Sequence, residues 1–553
     1  MGVVSVSHAT FAHPGGAELF EDVTFRVGDG RHVALVGPNG VGKTTLLRCI
    51  TGELALQAGT ATTDASVAYM PQAIGVDGDG DAATTVRALL TSFSSPAVRV
   101  AGEALARAEA ANEAAPTERT GVALANAVVR WGEVDGYQHE ARWDARTASV
   151  LGQPLAVAGE RPLAQLSGGE RKRLVLEMLF ASDHGILLLD EPDNFLDIPA
   201  KRWLEDQINA STRTILFITH DRALLDAAAT GIVTLEVRGC WVHAGPWSTY
   251  DEARRQRNAA LGDAVRRWKE EERRLFFNFK EMKQWASLND GNARKADVAE
   301  NRWRRWVDVG PPPPPPPERT VRMRLDGAEG GKVALRVEGL EISGLTEPFD
   351  LEVHLGDRVA VLGANGTGKS HFLRLLSGDD VEHEGAWRFG ARTTPGLFHQ
   401  TDDVEAFRDR TPLEVLRDQA LDEQSARKAL ARYGLAEAAE RPVATLSGGQ
   451  KARLQILHLE LRGVNALLLD EPTDNLDLAS AEALEAALDT FTGTVVCVTH
   501  DRWFLRAFDR FVLFADDCTV QEILGVDVAL RRISREEPHP RDRASVLDLT
   551  AAR

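Results

Sequence analysis

Four short motifs, repeated in the same order along 553 residues, restrict this chain to a duplicated fold. "GPNGVGKTT" at 37–45 returns as "GANGTGKSH" at 363–371, and "LSGGERKRL" at 166–174 as "LSGGQKARL" at 446–454. "LLLDEPDNFLD" at 187–197 returns as "LLLDEPTDNLD" at 467–477, and "ITHDR" at 218–222 as "VTHDR" at 498–502. From Ser167 to His220 is 53 positions, and from Ser447 to His500 is also 53. From Lys43 to Ser167 is 124 but from Lys369 to Ser447 only 78, so the first copy carries 46 additional residues. A period this long denotes duplicated domains rather than a solenoid. The limits read from these motifs are a first domain at 1–246 with a helical insert at about 75–160, and a linker at 247–320. A second domain at 321–525 and a short tail at 526–553 follow.

The first motif needs its glycines so that backbone N–H groups can close around phosphate oxygens. Its lysine neutralises the β- and γ-phosphates, and its hydroxyl helps to hold Mg²⁺. The parts are Gly37, Asn39, Gly40, Gly42, Lys43, Thr44 and Thr45, then Gly363, Asn365, Gly366, Gly368, Lys369, Ser370 and His371. Each loop follows an apolar run and precedes a helical one, which is the strand–loop–helix context this motif requires. "LLLDE" ends a buried strand in adjacent acids. Asp190 and Asp470 suit the metal-holding role together with Thr44 and Ser370, leaving Glu191 and Glu471 to polarise an attacking water. His220 and His500, each followed by Asp-Arg, fit contacts to a γ-phosphate.

Between the copies, apolar residues at Leu261, Val265, Trp268, Leu275, Phe279 and Met282 keep the spacing of one helical face. "LNDGN" at 288–292 interrupts the pattern, and Ala296, Ala299, Trp303 and Trp306 resume it, which predicts an antiparallel helical hairpin. Its first arm, from Tyr250 to about Leu288, would extend roughly 55–60 Å at 1.5 Å per residue. "GPPPPPPP" at 310–317 ends the second arm and is expected to form a stiff spacer. Net charge sharpens this picture. The whole chain carries −18, yet Arg254–Trp306 holds 15 Lys or Arg against 8 Asp or Glu, which leaves −25 elsewhere. The linker is read as a basic prong on an acidic body. Arg266, Arg267, Lys269, Arg273, Arg274, Lys280, Lys283, Arg294 and Lys295 are candidate phosphate contacts, and Phe276, Phe277 and Trp285 candidate base contacts near the tip. Trp268, Leu275, Phe279 and Met282 are read as the seam between the arms, and adjacent Phe276 and Phe277 cannot both face it.

The remaining composition narrows the classes. Four cysteines (Cys49, Cys240, Cys497, Cys518) without CxxC spacing argue against a zinc site, an iron–sulfur cluster or a disulfide framework. No stretch has the length and apolarity of a membrane span, and the N-terminus reads as no export signal, so a cytoplasmic location is expected.

Over nearly its whole length the chain resembles the ATP-binding-cassette family, and "LSGG" is the specific element. The resemblance implies an α/β fold with two P-loop cassettes in tandem, joined by a long α-helical hairpin. In that family, cassettes close head-to-tail so that each ATP is gripped by one P-loop and the opposite signature. One site would then pair Lys43 with Ser447, Gly448 and Gly449, and the other Lys369 with Ser167, Gly168 and Gly169. Gln72 and Gln400 match the family's Q-loop, and Asp197 and Asp477 its D-loop. Both sites keep the glutamate and histidine, so both are expected to hydrolyse ATP with Mg²⁺. Phe11 or His13 could stack on adenine in the first copy, and "VEGLEISGLTEPF" in the second offers no obvious equivalent.

Two complete cassettes, a helical linker, "DEPDNFLD", "THDR" and "GPWSTYDEARRQR" together resemble the ABC-F subfamily. That implies a monomer that binds bacterial ribosomes near the tRNA exit site, meets large-subunit rRNA and tRNA, and extends its linker toward the peptidyl-transferase centre. The aromatic linker is more similar to the members that protect ribosomes from large-subunit antibiotics than to housekeeping translation factors. The ATPase subunit of a transporter is the more distant reading, having no use for such a prong.

Overall fold

The computed structural model describes residues 2–16, 18–74, 84–288, 293–316, 323, 325, 331–398, 407–419, 421–474, 476–534 and 546–550. Two compact units make up the chain: Met1–Ala244 together with Thr320–Arg553, and Gly245–Arg319.

In the first unit each copy builds the same α/β layers. The first copy's parallel strands run in the order Val67–Met70, Ile186–Asp190, Thr214–Ile218, His32–Val36 and Gly231–Leu235, with Cys240–His243 antiparallel at the edge. The second copy repeats that order with Pro395–Phe398, Ala466–Asp470, Thr494–Val498, Arg358–Gly363, Arg510–Phe514 and Val520–Ile523. The tail adds Val546–Asp548 to the outer edge of this sheet. The central strands are apolar throughout because both of their faces are buried, one of them against a small antiparallel sheet and a helix. A three-stranded antiparallel sheet completes each copy: Glu18–Val27, Val4–Ala12 and Ala58–Thr63, then Phe349–His354, Val333–Ile342 and His383–Phe389.

The additional length of the first copy folds as helices Pro96–Ala114, Glu118–Glu133 and Gly136–Leu151, matching its Ala-rich propensity. Trp131 and Trp143 are 2% and 1% exposed, with ring centroids 5.9 Å apart, and form the core of this insert. Among the described residues, the second copy has the short helices Pro412–Arg417 and Glu423–Arg432 at the corresponding place.

The second unit is the helical hairpin. Helix Tyr250–Leu288 spans 39 residues and packs against Ala293–Val309. Trp268 stacks on Trp306, while Phe276 and Phe279 meet Trp303, so the arms run antiparallel. The Trp303 indole N–H donates to Glu272 at 3.2 Å, giving the buried part of the seam a polar anchor. Gly310 ends the second arm, and 311–316 form neither helix nor strand, as successive prolines dictate. Among the described residues, no helix is long and apolar enough to cross a membrane.

Candidate active site

Both glycine-rich loops lie at the carboxyl ends of the central strands, where open α/β sheets present their ligand crevice. Gly42 and Gly368 precede the first helical residue with φ of 102° and 95°, a left-handed conformation that suits glycine. At Gly42 a Cβ would also meet Leu19 at 2.8 Å. Lys43 and Lys369 begin the helices and fold back: Lys43 Nζ donates to the Gly37 carbonyl at 2.8 Å, and Lys369 Nζ to the Gly363 and Ala364 carbonyls at 3.0 and 2.6 Å.

The two copies meet loop to loop within the first unit. The backbone N–H of Asn365 donates to Asp197 of the first copy at 3.4 Å, and that of Asn39 donates to Asp477 of the second, also at 3.4 Å. The Asn365 side-chain amide adds a bond to the Phe195 carbonyl at 3.2 Å. A cavity of about 320 Å³ results, lined by Asn365, Gly366, Gly368, Lys369, Ser370, His371, Glu471 and His500 of the second copy and by Ser167, Gly168 and Gly169 of the first. Serines 167 and 447 cap the signature helices Gly168–Ala181 and Gly448–Leu461, each in a reciprocal capping box, with Glu170 and Gln450. A helix N-terminus aimed into a phosphate cavity offers free N–H donors and the positive end of a dipole to an anion.

Charge follows the same reciprocal pattern. Burial pulls the Lys43 ammonium below its ordinary value, and Glu191, Asp477 and Asp190 counteract it. Burial acts likewise on Lys369, opposed by Glu471, Asp197 and Asp470. Each lysine thus feels a carboxylate of the other copy. Burial also drives both histidines toward the neutral imidazole: His220 falls to about 3, and His500 lies well below the usual range. Both ring nitrogens of His220 and Nδ1 of His500 are buried without a protein hydrogen-bond partner, which is rare unless a ligand supplies one.

Glu191 and Glu471 sit in a left-handed backbone conformation, with φ of 48° and 45°. Such strain in a non-glycine residue costs about 1–3 kcal/mol and concentrates at functional sites. In each copy the glutamate N–H donates at 3.0 Å to the strand that leads to the histidine, through the Ile218 or Val498 carbonyl. The side chains are held differently. Glu191 Oε2 accepts from Gln72 and from Asn194, both at 2.6 Å. Glu471 Oε2 accepts from the His500 N–H at 3.0 Å, and its Oε1 lies 3.6 Å from His500 Nε2. Burial, then neighbouring acids, push both carboxyls up. Gln400, the second copy's match to Gln72, lies outside the described residues.

The residues that would hold Mg²⁺ fit a site completed by phosphate. Asp190 is fully buried beside the Thr44 and Tyr69 hydroxyls, which stabilise its charge, and Ser370 Oγ donates to Asp470 at 3.1 Å. Among the described residues no cluster of three or more His, Cys, Asp or Glu forms a metal cage.

Sequence reasoning left several neighbours unnamed. Lys172 is buried, donates to the Glu191 carbonyl and lies 5.5 Å from the Phe195 ring centroid. Phe195, at φ 66°, lines the cavity beside Gly168. Its bulk at a D-loop position was the visible signal. For the adenine contact, Phe11 is 5% exposed and stacks on Phe20 in the core, whereas His13 is exposed.

In the hairpin unit, Arg273, Arg274, Lys280, Lys283, Arg294 and Lys295 are exposed. Phe277 and Trp285 are 65% and 50% exposed, while Phe276, at 36%, leans on Trp303. Arg274 pairs with Glu271 at 2.6 Å, and Lys283 lies 5.3 Å from the Phe279 ring centroid. Tip positions 289–292 lie outside the described residues.

Comparison with known proteins places these features. The ABC transporter family profile matches residues 20–194 and 346–474. An antibiotic resistance protein of Mycobacteroides abscessus is 47% identical over 92% of this chain and 96% of its own length. The tylosin resistance ATP-binding protein of Streptomyces fradiae is 30% identical over 88% of this chain and 92% of its own. Among solved structures, an archaeal ribosome recycling factor in complex with a ribosomal stalk protein aligns with a TM-score of 0.51 at 18% identity, over 92% of this chain and 87% of that one. That likeness speaks to the tandem fold. The duplicated motifs, the reciprocal loop contacts and these relatives agree: the chain belongs to the ATP-binding-cassette family of ATPases, in its ABC-F branch alongside antibiotic-resistance proteins.

Proposed function

We propose that this protein is an ATP-driven ribosome factor that protects the large subunit from antibiotics by extending its hairpin toward the peptidyl-transferase centre. The observation that carries the reading is the hairpin: Arg, Lys and aromatic side chains stand exposed along a helical prong of net charge +7 in a chain of net charge −18. Arg and Lys suit rRNA phosphates, and exposed rings suit unstacked bases. The resistance names carried by two relatives support the direction of the effect.

ATP binding at Lys43 and Lys369 adds phosphate oxygens between each P-loop and the opposite signature helix, favouring the closed pair. Closure seats the prong. Thr44 and Asp190 in one site, and Ser370 and Asp470 in the other, would hold Mg²⁺, which would neutralise phosphate charge when bound. Glu191 and Glu471 orient the attacking water in their respective sites, while neutral His220 and His500 meet the γ-phosphate. Loss of that phosphate removes the contact that joins the cassettes, and the factor leaves.

The test uses the Glu191→Gln/Glu471→Gln protein, which keeps the phosphate contacts and loses water activation. With ATP it should co-sediment with purified bacterial ribosomes through a sucrose cushion, and with ADP it should not. A protein lacking residues 266–306 should bind but fail to rescue translation from large-subunit antibiotics. Absence of co-sedimentation in every nucleotide state would overturn the ribosome reading. Binding without any drug rescue would point to a housekeeping translation factor.

A further inference from the structure

Much of the interface between the cassettes repeats itself copy by copy, and Lys201 marks where it does not. Lys201 stands four residues after Asp197, and Ala481 stands at the matching place after Asp477. Lys201 is 6% exposed. Its ammonium lies 3.2 Å from Asp221 Oδ2 in its own cassette and donates to the His500 carbonyl of the other at 3.4 Å. Burial opposes its charge, but Asp221, Asp193, Asp474 and Asp501 together hold the ammonium above its ordinary value. Two of these carboxylates are themselves departures from symmetry: Asp193 corresponds to Thr473, and Asp474 to Asn194. Asp193 is 4% exposed and accepts from Thr219 at 2.6 Å. Carboxylates of both cassettes therefore surround the Lys201 ammonium, and the matching position of the second cassette carries an alanine.

His500 is held on both sides. Its carbonyl accepts from Lys201, while its own N–H donates to Glu471 at 3.0 Å. The equivalent donor toward His220 would have to come from Ala481, which has none. We propose that Lys201 is a positioning residue acting in trans: it fixes His500 and Glu471 from across the interface, so the site built on Lys369 depends on the first cassette through its signature and through Lys201. Among the described residues no side chain of the second cassette makes the equivalent bond to the His220 carbonyl, and Lys201 reaches the Lys43 site only through Asp221 of its own cassette. The two ATP sites are consequently inequivalent, and closure at the Lys369 site is the more tightly coupled to cassette pairing. The proposal rests on the reading that both glutamates serve hydrolysis.

The experiment separates the sites by single glutamine substitutions. Glu191→Gln leaves hydrolysis at the Glu471 site, and Glu471→Gln leaves it at the Glu191 site. In the first background, Lys201→Met should lower kcat about 10-fold or more with KM for ATP within about threefold, since Lys201 touches no nucleotide. In the second, kcat should stay within about twofold. Equal losses in both backgrounds, or no loss in the first, would overturn the proposal. Should Lys201→Met unfold the protein, Lys201→Met/Asp193→Thr removes an orphaned carboxylate with the ammonium, and the same selective loss is expected of it. If neither single glutamine lowers the rate of the unaltered protein, the two-site reading itself fails, a result distinct from failure of the Lys201 role.

Discussion

Arg222 of the first cassette grips Glu485 of the second with both arms of its guanidinium, one at 2.9 Å, and Arg502 grips Glu205 in the reverse sense, one arm at 3.1 Å. Each arginine directly follows the His-Asp of its own site. These cross-cassette bonds are therefore set two residues from the groups read as sensing γ-phosphate.

Breaking this pair of clamps should weaken closure. Arg222→Ala leaves Glu485 without its bidentate partner, and loss of one member of a buried pair costs about 3–5 kcal/mol. Arg222 is 4% exposed in its side chain and Glu485 21%, so the lower part of that range is expected. A double-mutant cycle with Glu485→Ala, read by thermal unfolding, should return a favourable coupling energy. A coupling near zero would show that the clamp is not a stabilising contact.

Hydrolysis should fall steeply when both glutamates become glutamine, by about 10²–10⁴-fold, the range for loss of a group that positions or activates the attacking water. ATP affinity should be kept, because the P-loop lysines and signature serines are untouched. Phosphate release and nucleotide binding, measured on the same protein, check both halves.

His220 should make the protein acid-sensitive. Its proton affinity drops from the ordinary value to about 3 on folding, through burial first and Lys43 second. The unfolded chain then binds more protons between about pH 3 and 6.5, so His220 contributes full stability above pH 6.5 and progressively less as pH falls through that window. Relative to His220→Gln, the unaltered protein should lose about 1.4 kcal/mol per pH unit below 6.5. Denaturant unfolding of both proteins at pH 7.5, 6.0 and 5.0 measures the difference. Parallel curves would refute it.

The hairpin separates packing from display. Trp303 stacks on Phe279 at 5.7 Å, 5° from parallel, and also meets Phe276. Trp303→Ala should reduce amide protection along Tyr250–Leu288 by about 2–4 kcal/mol of local opening energy, as loss of a large packed aromatic does. Phe277→Ala, at a position 65% exposed, should leave protection unchanged and remove drug rescue. Hydrogen exchange and the translation assay together test the pair of expectations.

Much of the architecture could be read directly. Repetition at matched spacing announces two copies, and three-or-four apolar spacing announces the hairpin, because local periodicity and turn chemistry are properties of the chain itself. The glycine-rich loops stand out equally, since phosphate binding would need closely spaced glycines, a lysine and a hydroxyl within one short stretch. Only the tertiary structure could decide what crosses between copies. Asn365 with Asp197, Arg222 with Glu485 and Lys201 with the His500 carbonyl are separated by 168, 263 and 299 positions, and no local pattern links them. Charge alone was ambiguous at these places: Lys201 resembles any surface lysine until burial among four carboxylates turns it into a cross-cassette anchor. Contacts of that kind depend on how two folded surfaces meet, and their partners are chosen by shape and burial rather than by neighbours in sequence.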